Sequence, residues 1–178
     1  MLGKPSHVCT CATRALLGLV IWPQTDDGHT QSLLALPTRR NLIKSPGGER
    51  VLQLSTDGGA SWGPSWTHPV LRGPRNPWFM PAGCHGSMVS LRRGRMLIFA
   101  GPDTSGEERL NVSLIGSTDG GRSWLLMARV HEGPSAYASL ARLPATRGGR
   151  PQVGILYEGG RRGEHYAKRI DFVRWAIL

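Results

Sequence analysis

Ser55-Thr56-Asp57-Gly58-Gly59-Ala60-Ser61-Trp62 recurs as Ser117-Thr118-Asp119-Gly120-Gly121-Arg122-Ser123-Trp124, and the two copies differ at one position, Ala60 against Arg122. An internal repeat is read first because it constrains the whole architecture. The side chains explain the octapeptide. An aspartate after Thr accepts backbone N–H groups in a tight turn, and the two glycines take positive φ without steric cost. The chain reverses, and the closing tryptophan opens the return strand and tucks into the core. Each copy follows a strand pattern. Val51 and Leu54 lead into Ser55; Leu110, Val112 and Leu114 alternate with Asn111 and Ser113 ahead of Ser117. The repeat therefore predicts two β-hairpins with Trp62 and Trp124 buried. Ser55, Asp57, Gly59, Ser117, Asp119 and Gly121 serve the turns, and neither aspartate is read as a catalytic acid.

Working outward, strand patterns continue over 95–100, 138–143, 152–158 and 166–175, and no stretch carries a long helical period. Twenty-four Gly and 13 Pro favour short strands and turns. The chain reads as all-β, and its 178 residues suffice for a sizeable core. The run ALLGLVIW (15–22) is too short to span a bilayer. It reads as a buried strand or an odd N-terminal segment more readily than as a signal-peptide core, since no small-x-small cleavage site follows.

The formal charge is +10, and Lys occurs only at Lys4, Lys44 and Lys168, so the excess is arginine. The arginines are scattered, with no zinc finger, RNA-recognition signature or basic helix, so nucleic acid is not the expected partner. Guanidinium groups instead suit bidentate capture of a carboxylate. Cys9 and Cys11 lack metal or redox spacing, Cys84 stands alone, and the six His show no ligand pattern. No metal and no cofactor are expected.

Seven segments carry a resemblance to the exo-α-sialidase (neuraminidase) family. The two octapeptides resemble its Asp boxes, a β-propeller signal. Cys84-His-Gly-Ser-Met88 resembles the family's Cys-Gln-Gly-Ser segment. Arg109-Leu-Asn-Val-Ser113 resembles the strand carrying one of three substrate-binding arginines. Gly133-Pro-Ser-Ala-Tyr137 resembles the strand of the tyrosine nucleophile. Gly154-Ile-Leu-Tyr-Glu158-Gly-Gly resembles the Leu-Tyr-Glu segment whose Glu orients the first arginine of the triad. The last two are similar to the forms in lysosomal sialidase and its bacterial relatives. Thr38-Arg39-Arg40-Asn41 resembles the Ala-Arg-Asn strand, which would make Arg40 the second arginine, with Arg39 a near alternative.

The resemblance implies a sialidase-type β-propeller over 38–178, an unassigned segment over 1–37, and retaining hydrolysis of terminal α-linked sialic acid from glycoproteins, oligosaccharides or gangliosides. Its chemistry is coherent. Arginines would hold the sialic acid carboxylate, beside which a carboxylate nucleophile would be repelled; sialidases use tyrosine instead. A phenol needs a base to take its proton. Here the chain departs from the pattern. The acids among the first forty residues are Asp26 and Asp27, in a turn-like stretch, so the family's base Glu, its acid Asp and its first arginine have no counterpart. At about 40–45 residues per blade, the chain holds about four blades or fewer, short of the family's six-bladed fold. The expectation is a truncated form with little turnover, or a non-catalytic glycan-binding or interaction module open to an oligomer or partner chain. The family places such a protein in the lysosome or elsewhere on the secretory or membrane route; the alternative is cytoplasmic. Asn111-Val-Ser113 is also a glycosylation sequon.

Overall fold

The structure is a computed structural model, and it describes residues 19–21, 32–36, 49–55, 60–73, 86–92, 95–104 and 106–178. Eleven strands are found there. They are β1 (Leu19–Ile21), β2 (Ser32–Leu36), β3 (Glu49–Ser55), β4 (Trp66–Arg72), β5 (Ser87–Leu91), β6 (Met96–Pro102), β7 (Val112–Ser117), β8 (Leu125–Arg129), β9 (Ser135–Leu143), β10 (Gln152–Gly159) and β11 (Arg169–Ala176). They form three antiparallel meanders, β1-β2-β3-β4, β5-β6-β7-β8 and β9-β10-β11. The first sheet draws β1 and β2 from the N-terminal stretch without a recognised motif and joins them to the strand of the first Asp box.

The sheets stand side by side like blades. Their first strands neighbour one another, β1 beside β5 and β5 beside β9. The middle sheet is packed on both faces, which is why the apolar runs MLIFAGP and VSLIGS are buried at every position. One face, through Met88, Leu97, Phe99, Ile115 and Trp124, meets Leu52 and Leu71 of the first sheet. The other, through Ile98, Ala100, Val112 and Leu114, meets Ala138, Leu140, Val153, Ile155 and Tyr157 of the third. This is the all-β, open propeller arrangement that the repeat and strand patterns imply.

The second Asp box joins β7 to β8. Asp119 Oδ1 accepts the backbone N–H groups of Arg122 and Ser123 at 3.0 and 2.9 Å, and its Oδ2 accepts the Ser123 hydroxyl. Ser117 Oγ accepts the Gly121 N–H at 2.9 Å. Gly120 and Gly121 take φ of 74° and 89°, a region costly for residues with a Cβ. Trp124 is 2% exposed, and its indole N–H donates to the Gly121 carbonyl at 2.9 Å. In the first box Ser55 is buried, but Trp62 is half-buried, not buried as expected. Asp57 and Gly59 lie outside the described residues.

Two further readings change. Alternation over 110–114 predicts one strand with one buried face. The strand begins only at Val112, because Asn111 adopts φ of 65°, and Ser113 is as buried as Val112 because sheets cover both faces. The sequon is also occupied otherwise: the Asn111 carboxamide oxygen accepts the Gly133 N–H at 3.0 Å. An exposed glycosylated asparagine is not what this position offers.

Two predictions follow from the packing and the turn. Ile98→Ala, at a fully buried position, should lower unfolding free energy by about 2–5 kcal/mol, whereas Leu125→Ala, 74% exposed, should stay within about 0.5 kcal/mol; urea titration followed by tryptophan fluorescence measures both. Asp119 is held well below the usual carboxylate range, first by the Ser123 hydroxyl and then by the Ser123 N–H, with burial opposing and the Ser117 hydroxyl and Arg122 N–H adding to the fall. A depressed folded-state pKa stabilises above the unfolded value, about 3.9, and that contribution is lost as pH falls toward the folded one. Asp119→Asn should therefore be less stable than the parent above about pH 5, and the gap should close on acidification. A gap that stays constant through this range would contradict the account.

Candidate functional site

The expected site residues come from three places in the chain, and a short stitch between the second and third sheets brings them together. The Asn111 N–H donates to the Gly133 carbonyl at 2.9 Å, while the Gly133 N–H donates to the Asn111 side chain. One step along, Leu110 bridges Pro134, and the Ser135 N–H donates to the Arg109 carbonyl at 2.9 Å. The Val112 N–H completes the strip by donating to Ser135 Oγ at 3.1 Å. Gly133 supplies φ of 105°, open to glycine and strained for other residues. The Gly160 N–H donates to the Pro134 carbonyl at 2.8 Å, and His131 Nε2 lies 3.0 Å from the Gly160 carbonyl, so the end of β10 is tied to the same strip.

Arg109 therefore leaves the segment before β7 beside the start of β9. Its guanidinium carbon lies 5.5 Å from the Tyr137 ring centroid and 4.7 Å from that of Tyr166. Tyr137 is 45% exposed on the outward face of the third sheet. Glu158 shares that face from β10, across a register shift between Tyr157 and Gly159. The Tyr137 backbone N–H donates to Glu158 Oε2 at 3.4 Å. Tyr137 and Glu158 thus share a shallow depression whose walls include Ser139, Leu156 and Ile170, and Arg109 reaches the Tyr137 ring from the segment before β7. Arg40 lies outside the described residues, as do Cys84 and His85.

Adjacent tyrosines of this sheet have opposite environments. Tyr157, one residue before Glu158, points into the core, is 6% exposed and packs against the His131 ring at 5.5 Å between centroids. Burial raises its phenol pKa, with the Asp171 charge adding to the rise and Arg169 opposing it. Tyr137, on the other face, is half-exposed.

Sequence reasoning missed Tyr166 and the structural roles of Asn111, Gly133 and Ser135. Tyr166 sits in the β10–β11 loop, against the His165 ring at 4.0 Å between centroids. That loop is shaped by Glu164, which accepts the Arg161 N–H at 2.7 Å, and by the Lys168 N–H bond to the His165 carbonyl at 3.1 Å. No local pattern announces a stacking partner for an arginine 57 residues away (166 − 109 = 57). For Asn111 a signal existed: asparagine is enriched in left-handed conformations.

No protein-family model matches the chain, and no curated protein matches it. Solved structures do. The chain superposes on a Hadza microbial sialidase with a TM-score of 0.58 and 24% identity, over 90% of its own length and 27% of that chain. It superposes on NanB sialidase from Streptococcus pneumoniae, solved as a point mutant, at 0.52 and 14%, over 93% and 24%. A fucose lectin from Kordia zhangzhouensis, solved with methyl-fucoside, matches at 0.54 and 7%, over 88% and 91%. The fold is accordingly a sialidase-type β-propeller in the form of an open arc. The chain spans about a quarter of the length of the two sialidases and most of the length of the lectin.

The stacked guanidinium gives a direct test. A cation–π contact contributes about 0.5–1 kcal/mol when partly exposed. A double-mutant cycle of Arg109→Met and Tyr166→Leu, read by urea unfolding, should return a coupling of that size, and strict additivity would refute the contact.

Proposed function

We propose that this chain carries part of an exo-α-sialidase site and recognises terminal sialic acid on glycoproteins, oligosaccharides or gangliosides. The observation that carries the reading is that Tyr137 has the Arg109 guanidinium 5.5 Å from its ring centroid and Glu158 Oε2 at its backbone N–H, all three from segments that resemble the family's in sequence. In this reading Arg109 takes the sialic acid carboxylate through charge-assisted hydrogen bonds, with Arg40 as second arginine. Tyr137 Oη attacks the anomeric carbon as the glycosidic bond breaks; the leaving oxygen gains a proton and the phenol loses one to a base. Water then attacks the same carbon and frees both sialic acid and Tyr137, with retention. Glu158 orients arginine. A lysosomal or other secretory-route location accompanies this reading.

The sequence offers no counterpart for the base Glu or the acid Asp, and a positioned acid or base contributes about 10²–10⁴-fold. Turnover should be feeble, and recognition should outlast catalysis. A second reading, a glycan-binding module without turnover, is favoured by the likeness to a lectin of similar length.

The test pairs hydrolysis of a fluorogenic sialoside with binding of sialylated and fucosylated oligosaccharides by calorimetry. Sialoside binding should be lost in Arg109→Met, and any turnover should fall to the uncatalysed rate in Tyr137→Phe. Binding with no turnover in the parent selects the second reading. Failure to bind any sialoside, or fucoside binding indifferent to Arg109, overturns the proposal.

A further inference from the structure

Arginines that are scattered along the sequence are sorted by the sheets. Strand pairing gives the second and third sheets two ends. The starts of β7 and β9 and the close of β10 mark one, where Tyr137 and Glu158 lie. The β5–β6 turn, the second Asp box and the β9–β10 turn mark the other. Among the described residues, every Asp and Glu except Asp119 lies toward the first end. At the Asp-box end Arg122, Arg142, Arg147 and Arg150 are all exposed. Asp119 is committed to its own turn through the Ser123 hydroxyl and the Arg122 and Ser123 N–H groups. Asp57 and Arg93 lie outside the described residues and add one formal charge of each sign.

Hydrogen bonds make these turns one surface. The Arg92 guanidinium, in the β5–β6 turn, donates to the Leu178 backbone oxygen at 3.2 Å, and the Ile177 N–H donates to the Pro151 carbonyl at 2.9 Å. The end of the second sheet is thereby tied to the segment carrying Arg147 and Arg150. That segment is closed on itself: the Thr146 N–H donates to the Arg150 carbonyl at 2.9 Å, and the Arg150 N–H to Thr146 Oγ1 at 3.0 Å. Apolar side chains stand beside the charges. Leu125 and Leu126, just after the second Asp box, are 74% and 51% exposed. Successive residues of a strand point to opposite faces, so the rim strand β8 offers apolar surface on both. Trp62 of the first Asp box is half-buried at the same end of its sheet.

We propose that the Asp-box end docks on an anionic lipid surface, its arginines among the headgroups and Leu125 and Leu126 at the acyl boundary. Each arginine near such a surface contributes about fivefold in affinity, and apolar side chains add a grip that grows with the area they bury. The leucines favour a membrane over a nucleic acid, whose phosphates would pair with arginine but give leucine no partner. Arg122 is the one position at which the two octapeptides differ, being Ala60 in the first; the turn uses only its backbone N–H. Docked in this way, Tyr137 is held away from the lipid by about 20 Å, the length of the strand from Tyr137 to Leu143. The inference rests on the distribution of charge and stands apart from the sialoside reading.

Flotation of the 178-residue chain with phosphatidylcholine vesicles, with and without phosphatidylserine, tests it. The chain should float with the phosphatidylserine vesicles only, and added salt should weaken the binding. Changing Arg122→Ala, Arg147→Ala and Arg150→Ala together should lower affinity on the order of 100-fold. Leu125→Ser with Leu126→Ser should also lower it, at unchanged charge. Arg161→Ala with Arg162→Ala, exposed at the opposite end, should bind like the parent. Near-ultraviolet circular dichroism checks that each variant is folded; should the leucine variant fail, the two arginine variants decide. Absence of binding to phosphatidylserine vesicles, equal binding to neutral ones, or an equal loss from the Arg161 and Arg162 changes would each overturn the inference. Tighter binding to duplex DNA that is indifferent to the leucine changes would replace it with a nucleic-acid surface. Vesicle flotation and sialoside binding are separate readouts, so either idea can fail without the other.

Discussion

Asn111 and Gly133 exchange two hydrogen bonds, one backbone to backbone and one from the Gly133 N–H to the Asn111 carboxamide. The remainder of the site is arranged around that exchange. It holds the segment before β7 against the segment before β9, so two sheets that otherwise meet through apolar side chains are fixed in register by directional bonds. Apolar packing alone tolerates sliding; hydrogen bonds between part-buried N–H and C=O groups resist it, because sliding would break them. Arg109 precedes this strip, and Tyr137 follows it on β9. The approach of guanidinium to phenol is thereby a property of the backbone, not of two flexible side chains finding each other.

The glycine and asparagine identities follow from the same constraint. Gly133 and Asn111 both sit at positive φ, where a β-branched residue would be strained. The left-handed turn at Asn111 also ends any strand that would run back through Arg109. This frees Arg109 from sheet geometry and lets it reach over Tyr137 and Tyr166. Had β7 begun earlier, pleating would have fixed the Arg109 side chain to one face by alternation.

The arc and the site are linked through one sheet. The inner face of β9-β10-β11 joins the core through Ala138, Ile155 and Tyr157, and its outer face carries Tyr137, Glu158, Leu156 and Phe172. Period-two alternation separates structure from chemistry: Tyr157 is buried and its phenol pushed up, whereas Tyr137, on the other face, is accessible.

The sequence by itself determined the all-β class, the hairpin of the second Asp box and most strand positions, because turn chemistry and apolar periodicity act over a few residues. The resemblance carried by the segments around Arg109, Tyr137 and Glu158 is likewise a matter of a few neighbouring residues. Only the tertiary structure decided that Asn111 breaks a strand, that Ser113 is buried, that Trp62 is half-covered and that Tyr166 stacks on Arg109. Each of these depends on what another part of the chain places opposite. Alternation at 110–114 could not reveal that sheets cover both faces of β7, and a loop tyrosine carries no mark of the arginine it will meet. Local pattern specifies what a segment can form; long-range packing sets which faces are covered and which side chains converge.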